Sequence, residues 1–173
     1  DFASRHGIEY ILLDEGWATI RKNDLFSIIP DIDMKEIVDY GKEKGVGVIL
    51  WAGCYPFDKD MERVCKYYSE MGVKGFKVDF INSDDARIVD FHYRAAAMTA
   101  KYHLLIDFHG TYKPTGLNRT YPNVINFEGV NGQEQTKWCT IKENNQPLYD
   151  VNVPFTRMLA GPMEYNQGAM LNG

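Results

Sequence analysis

The chain has 173 residues, of which 45% are hydrophobic and 25% charged, and its formal net charge is −5. This length and composition are typical of one globular domain with a sizeable core. The acidic balance argues against nucleic acid or an anionic membrane surface as the main partner, and no stretch is apolar over the roughly 18 residues that a membrane helix needs.

The cysteines and the start of the chain say little about its compartment. Cys54, Cys65 and Cys139 are odd in number and have no CxxC spacing, which predicts buried free thiols rather than a disulfide framework or a zinc site. The chain begins at Asp1 with neither an initiator methionine nor a signal peptide. We therefore expect a piece of a longer protein.

Apolar runs alternate with helical patterns along the chain. After a helix tail over 1–7, strands are predicted over 8–13, 46–51, 75–80, 103–108 and 124–127, with a sixth candidate over 153–159. Helices are predicted between the first four strands: from a cap at Asp31 or Asp33 to about Lys44, from Pro56 to Met71, and over 84–101.

This alternation is typical of an α/β fold with a parallel sheet, for which two architectures compete. A doubly wound sheet usually carries a Gly-rich phosphate turn after its first strand, whereas Asp14-Glu15-Gly16-Trp17 follows the first strand here. A (β/α)8 TIM barrel gathers polar and aromatic residues at the C-terminal ends of its strands. The predicted strands do end in such residues: Asp14, Trp51, Asp79, His109 and Glu128. We therefore expect a partial (β/α)8 TIM barrel with about six of its eight strands.

Two carboxylates are the strongest candidates for chemistry. Asp79 ends the apolar strand that begins at Gly75, and Glu134 lies in a Gly-broken loop after the fifth strand. Glycoside hydrolysis needs two facing carboxyl groups, about 5–5.5 Å apart for retention and roughly 6.5–9.5 Å apart for inversion. Each carboxylate alone could equally cap a helix or pair with a lysine. The convergence of several strand ends favours a functional site.

Other side chains near these strand ends have two interpretations each. Lys77 points to the same side of its strand as Asp79, where it would hold a sugar hydroxyl or simply pair with that carboxylate. His109 would donate to a substrate or be a satisfied strand-end histidine. Trp51 would stack on a sugar or pack at the rim. Arg119 lies in a loop on the same face, with a solvated arginine as the alternative. A GxSxG elbow and a P-loop are both absent.

The loop that contains Glu128, Asn131 and Glu134 is rich in oxygen ligands. Such ligands suit calcium rather than zinc. A solvated acidic loop is the alternative interpretation.

Six motifs together resemble glycoside hydrolase family 97. They are Leu13-Asp14-Glu15-Gly16-Trp17, Gly75-Phe76-Lys77-Val78-Asp79-Phe80, Asp107-Phe108-His109-Gly110, Pro114-Thr115-Gly116 with Arg119-Thr120-Tyr121-Pro122-Asn123, Glu128-Gly129-Val130 through Gly132-Gln133-Glu134, and Pro154-Phe155-Thr156-Arg157-Met158. The resemblance covers nearly the whole chain but only the middle of the family's protein, which has a β-sandwich domain before the barrel and a smaller β-domain after it. It implies that residues 1–173 are a fragment of a single catalytic barrel.

The resemblance also implies a reaction. The family has an inverting α-glucosidase branch, with a glutamate base directly after the histidine that matches His109. It also has a retaining α-galactosidase branch, with an aspartate where Asp79 stands. Gly110 occupies the position of the inverting base, so the chain resembles the retaining branch. Asp79 is then the expected nucleophile and Glu134 the expected acid/base.

The same resemblance implies a ligand set and a location. It implies an α-galactoside substrate, a calcium ion touched by Glu128 and Glu134, and export to the periplasm or secretion from a bacterium. The side chains expected to position the sugar are Asp14, Trp51, Lys77, His109 and Arg119. An α-glucosidase of the same family and a catalytically silent carbohydrate-binding barrel stay open as alternatives.

Overall fold

The computed structural model describes residues 1–19, 24–139, 143 and 145–166. The strands are β1 (Tyr10–Leu13), β2 (Gly47–Gly53), β3 (Gly75–Asp79), β4 (Leu105–Phe108) and β5 (Val124–Phe127). The helices are α1 (Phe2–Arg5), α2 (Met34–Glu43), α3 (Cys54–Lys59), α4 (Met61–Met71), α5 (Ala86–Lys101), α6 (Leu117–Thr120) and α7 (Gln146–Arg157), with 3-10 turns at Gln133–Lys137 and Met158–Ala160. Within these ranges, no helix combines the length and the hydropathy needed to cross a bilayer.

The strands form one parallel sheet in the order β1-β2-β3-β4-β5, so that each strand lies beside the next one in the chain. Sequential neighbours joined by crossover connections are how the wall of a (β/α)8 barrel is built. A doubly wound sheet would instead reverse its strand order at a switch point. The sheet confirms the predicted parallel α/β fold, and its order favours the barrel.

The prediction of a sixth strand over 153–159 is wrong. These residues lie in α7 and the 3-10 turn after it. The β-branched side chains of this stretch are typical of strands, but Val153 and Arg157 are four residues apart and share the buried face of a helix. Arg157 Nη2 donates to the backbone carbonyls of Phe127 (3.1 Å) and Glu128 (3.2 Å). These bonds fasten α7 to the end of β5.

Helix boundaries follow capping chemistry. The Asp33 carboxylate accepts a hydrogen bond from the Glu36 backbone N–H at 2.9 Å, so Asp33 is the N-cap of α2. The single helix predicted from 56 to 71 is two helices that meet at Asp60. The three cysteines are free thiols, as predicted, but only Cys65 is buried, whereas Cys54 and Cys139 are partly exposed.

β3 lies in the middle of the sheet and alternates its side chains between two faces. Phe76 and Val78 are fully buried in the hydrophobic core, while Lys77 points to the opposite face. In the parallel register, Lys77 lies beside Trp51 of β2 and Asp107 of β4. A layer of polar and aromatic side chains therefore crosses one face of the sheet near the C-terminal ends of its strands.

Gly75 begins β3 where neighbouring backbones are too close for a side chain. A Cβ there would lie 2.5 Å from the backbone oxygen of Leu105 in β4. We expect Gly75→Ala to lower the free energy of unfolding by about 2 kcal/mol, measured by urea denaturation of the full-length protein. Gly53→Ala is the matched control, because its Cβ would meet side-chain atoms of Pro56 and Trp51 at 3.4 Å. An equal loss in both variants would contradict the steric explanation.

Candidate active site

A cleft of about 770 Å³ opens at the C-terminal ends of the strands. It brings together seven of the eight side chains proposed from the sequence: Asp14, Trp51, Lys77, Asp79, His109, Glu128 and Glu134. Arg119 is the exception, since it lies exposed on α6 and does not line the cleft. Among the described residues, five carboxylates and two lysines line the cleft. This acidic balance favours a cation or a hydroxyl-rich ligand over an anion.

Asp79 is the last residue of β3, and its carboxylate is held from three directions. The indole Nε1 of Trp51 donates to Oδ2 at 3.1 Å, and the backbone N–H of Phe80 donates to Oδ1 at 2.7 Å. The Lys77 ammonium lies 3.9 Å from Oδ2. The side chain keeps 17% of its surface exposed, so the carboxylate faces the cleft in a fixed orientation.

Lys77 is a buried cation between two strand ends. Its Nζ donates to Asp14 Oδ2 at 3.0 Å, and the same ammonium faces Asp79. Burial lowers the pKa of Lys77, but the hydrogen bond to Asp14 and the charges of Asp14, Asp79 and Glu164 outweigh burial, so the pKa lies above its usual value. Lys77 therefore stays charged and joins the ends of β1 and β3.

Glu128 and Glu134 enter the cleft from the segment after β5. Glu128 Oε2 accepts a hydrogen bond from the Gly110 backbone N–H at 2.8 Å, and Lys137 Nζ lies 3.9 Å from Glu134 Oε2. Burial raises the pKa of Glu128, and the carboxylates of Asp79 and Glu134 add to that effect. Asp79 and Glu134 therefore both lie within electrostatic reach of Glu128. Oxygen ligands of this kind suit a divalent cation such as Ca²⁺.

A largely buried cluster of one imidazole and two carboxylates lies at the C-terminal end of β4. His109 Nε2 is 2.9 Å from Glu164 Oε1 and 3.4 Å from Asp107 Oδ2. The Nε2–H points along neither contact, so these are ion pairs rather than aligned hydrogen bonds. Burial lowers the pKa of His109, but the two carboxylates outweigh it and raise the pKa to about 10. Burial also raises the pKa of Asp107, whereas for Glu164 the contacts with His109 and Asp107 outweigh burial and lower the pKa.

The ligand atoms of this cluster all lie within 4.8 Å of one another, close enough to share a metal ion. A metal would need Nε2 without its proton. The carboxylates of Asp107 and Glu164 favour the protonated ring instead. The cluster therefore fits an imidazolium held between two carboxyl groups better than it fits a metal.

Glu164 is the site residue that the sequence interpretation missed. It follows Gly161-Pro162, and its backbone N–H donates to the carbonyl of Phe127, the last residue of β5, at 2.9 Å. This bond holds Glu164 against the end of β5. The available signal was a carboxylate shortly after a Gly-Pro pair.

Comparison with known proteins identifies the family. The family model for glycoside hydrolase 97 matches residues 1–130. A retaining alpha-galactosidase from Bacteroides thetaiotaomicron is 60% identical over 172 residues, which are 99% of this chain and 26% of that protein. A probable retaining alpha-galactosidase from Streptomyces bingchenggensis is 33% identical over 176 residues, which are 98% of this chain and 26% of that protein.

Solved structures share the fold. A glycoside hydrolase family 97 enzyme from Pseudoalteromonas sp. strain K8, in complex with acarbose, has a TM-score of 0.80 and 28% identity over 95% of this chain and 29% of that chain. A beta-arabinopyranosidase has a TM-score of 0.82 and 28% identity over 98% of this chain and 28% of that chain. This chain spans about a quarter of the length of the curated relatives it matches. It forms part of a (β/α)8 barrel, and it belongs to glycoside hydrolase family 97.

Proposed function

We propose that the protein is a retaining glycoside hydrolase that cleaves terminal α-galactosides. The observation that carries the proposal is the oriented carboxylate of Asp79, which faces the same cleft as Glu134. Two carboxyl groups across one cleft are what glycosidic bond cleavage needs. The 60% identity to a retaining alpha-galactosidase supports this choice of reaction and sugar.

The backbone at Gly110 supports retention over inversion. Gly110 has a φ of +55°, in the left-handed region. A Cβ there would lie 3.0 Å from Asn82 Oδ1 and 3.4 Å from the backbone nitrogen of Phe80. A glutamate after His109, as an inverting mechanism of this family is expected to use, would be both strained and crowded. The reaction is left to the pair of Asp79 and Glu134.

The reaction proceeds in two displacements. Asp79 attacks the anomeric carbon while the bond to the leaving oxygen breaks and Glu134 gives that oxygen its proton. The product of this step is a glycosyl ester on Asp79. Glu134 then takes a proton from water, the water oxygen attacks the anomeric carbon, and the ester bond to Asp79 breaks. Two inversions at one carbon give net retention.

The ion pairs around the two acids orient the sugar. Lys77 and Asp14 present an ammonium and a carboxylate to the cleft, and His109 adds a donor from the other side. The indole of Trp51 holds the nucleophile and packs its ring against Phe80 at 5.6 Å. These groups bind hydroxyls that hold the anomeric carbon over Asp79.

Calcium is part of the proposal, because Glu128 and Glu134 offer carboxylate oxygens of the kind that bind it. Both carboxylates line the cleft, and the pKa of Glu128 is raised by burial and by the two acids near it. A divalent cation held by these residues would relieve that repulsion and would supply positive charge to the cleft. Export to the periplasm or secretion stays a prediction.

Other sugars are the rival substrates. The Pseudoalteromonas enzyme was solved with acarbose and with panose, and another neighbour is a beta-arabinopyranosidase. These neighbours are 26–28% identical to this chain. An aryl α-glucoside and an aryl β-L-arabinopyranoside, which has the ring of an α-galactoside without its hydroxymethyl group, are therefore the comparison substrates for an aryl α-galactoside. A higher kcat/KM for either would replace the assigned sugar.

Removing the nucleophile tests the reaction directly. We expect Asp79→Gly in the full-length protein to abolish turnover of an aryl α-galactoside, because the glycosyl ester cannot form. Added azide would occupy the vacated space and yield β-galactosyl azide, identified by NMR. Asp31→Gly, in an exposed turn, is the control and keeps full activity. Wild-type turnover in Asp79→Gly would contradict the assignment.

Removing the buried cation tests how the nucleophile is held. We expect Lys77→Met to lower kcat/KM for the aryl α-galactoside by roughly a hundredfold, since Asp14 and Asp79 then face each other without a counter-charge. Lys101→Met removes an exposed partner of Glu62 and serves as the matched control. Equal rates in the two variants, with both folded by circular dichroism, would argue against a role for Lys77.

The calcium proposal is tested by binding as well as by rate. After treatment with EGTA, we expect the full-length protein to have a lower Tm and lower activity, and added Ca²⁺ to restore both. Calorimetry should detect Ca²⁺ binding to the treated protein, and Glu128→Gln should weaken that binding at least tenfold. Unchanged binding in Glu128→Gln would remove Glu128 from the ligand set.

A further inference from the structure

The positions of Asp79 and Glu134 determine the side of the cleft toward which the leaving group departs. The nucleophile and the leaving group lie on opposite sides of the anomeric carbon, and the acid that protonates the leaving oxygen lies with the leaving group. Asp79 stands at the end of β3, and Glu134 lies beyond β5, so that β4 separates them. The leaving group must therefore depart toward the wall that carries Glu134.

That wall carries a large exposed aromatic side chain. Trp138 directly follows the 3-10 turn that holds Glu134, lines the cleft, and is 69% exposed. An indole offers a rigid apolar face of the kind that stacks on rings, and leaving it in water has no benefit for folding. Its exposed face at the lip of the cleft, beside Glu134, is therefore open to a ligand of that cleft.

The segment that presents Trp138 is held in place at several points. The backbone N–H of Glu134 donates to the carbonyl of Asn166 at 3.4 Å, and the backbone N–H of Asn131 donates to the Tyr149 hydroxyl oxygen on α7 at 2.8 Å. Gly132 packs so closely on Asn166 that a Cβ would lie 2.5 Å from its carbonyl oxygen. Trp138 is thus held in a fixed position relative to Glu134.

Lys137 joins the acid to the platform. Its ammonium lies 3.9 Å from Glu134 Oε2 and 5.8 Å from the centre of the Trp138 ring. A cation at this distance is attracted to the ring face while it pairs with the carboxylate. One short segment therefore carries a proton donor (Glu134), a cation (Lys137) and an aromatic face for stacking (Trp138).

We propose that Trp138 is the platform for the leaving group, and that the leaving group it selects is a second sugar ring. A pyranose presents an apolar face of C–H groups to an indole and hydroxyls to its edge, where Lys137 can bond them. This proposal rests on the proposed function and adds the preferred substrate class: α-galactosyl oligosaccharides rather than galactosides of small alcohols.

A second cavity is an alternative binding site for the leaving sugar. A mostly apolar pocket of about 260 Å³ shares Glu15, Trp51 and Phe80 with the cleft and is completed by residues such as Tyr55 of α3. Tyr55 and Phe80 are exposed, so they also could stack on a ring. This side pocket lies by β2 and the nucleophile, however, on the wrong side of the anomeric carbon for a departing group.

The test compares a substrate that has a leaving ring with one that has none. For each variant of the full-length protein, kcat/KM is measured for an α-1,6-galactosyl disaccharide and for methyl α-galactoside, whose alcohol leaving group needs the same proton from Glu134 but has no ring. We expect Trp138→Ala to lower the ratio of disaccharide to methyl galactoside by about tenfold. Trp138→Phe should recover most of the ratio, because it keeps an aromatic face. Tyr93→Ala, on the exposed face of α5, is the control and leaves the ratio unchanged.

Two other results would overturn the role of Trp138. Equal losses on both substrates in Trp138→Ala would show that the change merely disturbs Glu134, and would overturn the platform. A fall of the ratio in Tyr55→Ala but not in Trp138→Ala would place the leaving group in the side pocket, and would also overturn it. Failure of the wild-type protein to hydrolyse either α-galactoside would instead count against the proposed function itself.

Discussion

The buried ammonium of Lys77 is the interaction on which the site depends. It lies between Asp14 and Asp79, at the ends of two strands that β2 separates. Removing a charge from water costs several kcal/mol unless partners compensate it. The compensation exists only when these strand ends come together. Because β3 is the central strand, this requirement holds the nucleophile at the middle of the sheet edge.

A second cluster of charges lies on the other side of β3 from Asp14. His109 lies between Asp107 and Glu164, and Glu164 also contributes to the raised pKa of Lys77. The carboxylate of Glu128 connects this side to the acids that line the cleft. The walls of the cleft are therefore coupled electrostatically, and a change in charge at one strand end is felt at its neighbours. The apolar core beneath, with Phe76 and Val78 fully buried, holds these charges in position.

The patterns that could be predicted from the sequence are those with a local physical cause. Apolar runs and capping residues predicted five strands and most helices, since burial and capping act over a few residues. The strand over 153–159 failed because Val153 and its neighbours fit either periodicity, and the contact that decided for the helix is the bond from Arg157 to Phe127, 30 residues away. Glu164 was missed for the same reason, and Arg119 has a polar side chain that the fold turns outward.

By itself, the sequence determined that this is a parallel α/β chain of glycoside hydrolase family 97, with Asp79 at a strand end and Gly110 at the position of the inverting base. Strand ends in a parallel sheet converge whatever the loops do, which is why seven of the eight side chains proposed from the sequence line one cleft. Only the tertiary structure decided which carboxylates form ion pairs with Lys77 and His109, and which wall of the cleft carries Glu134 and Trp138. Those outcomes depend on distances between residues far apart in the chain, which no local pattern encodes.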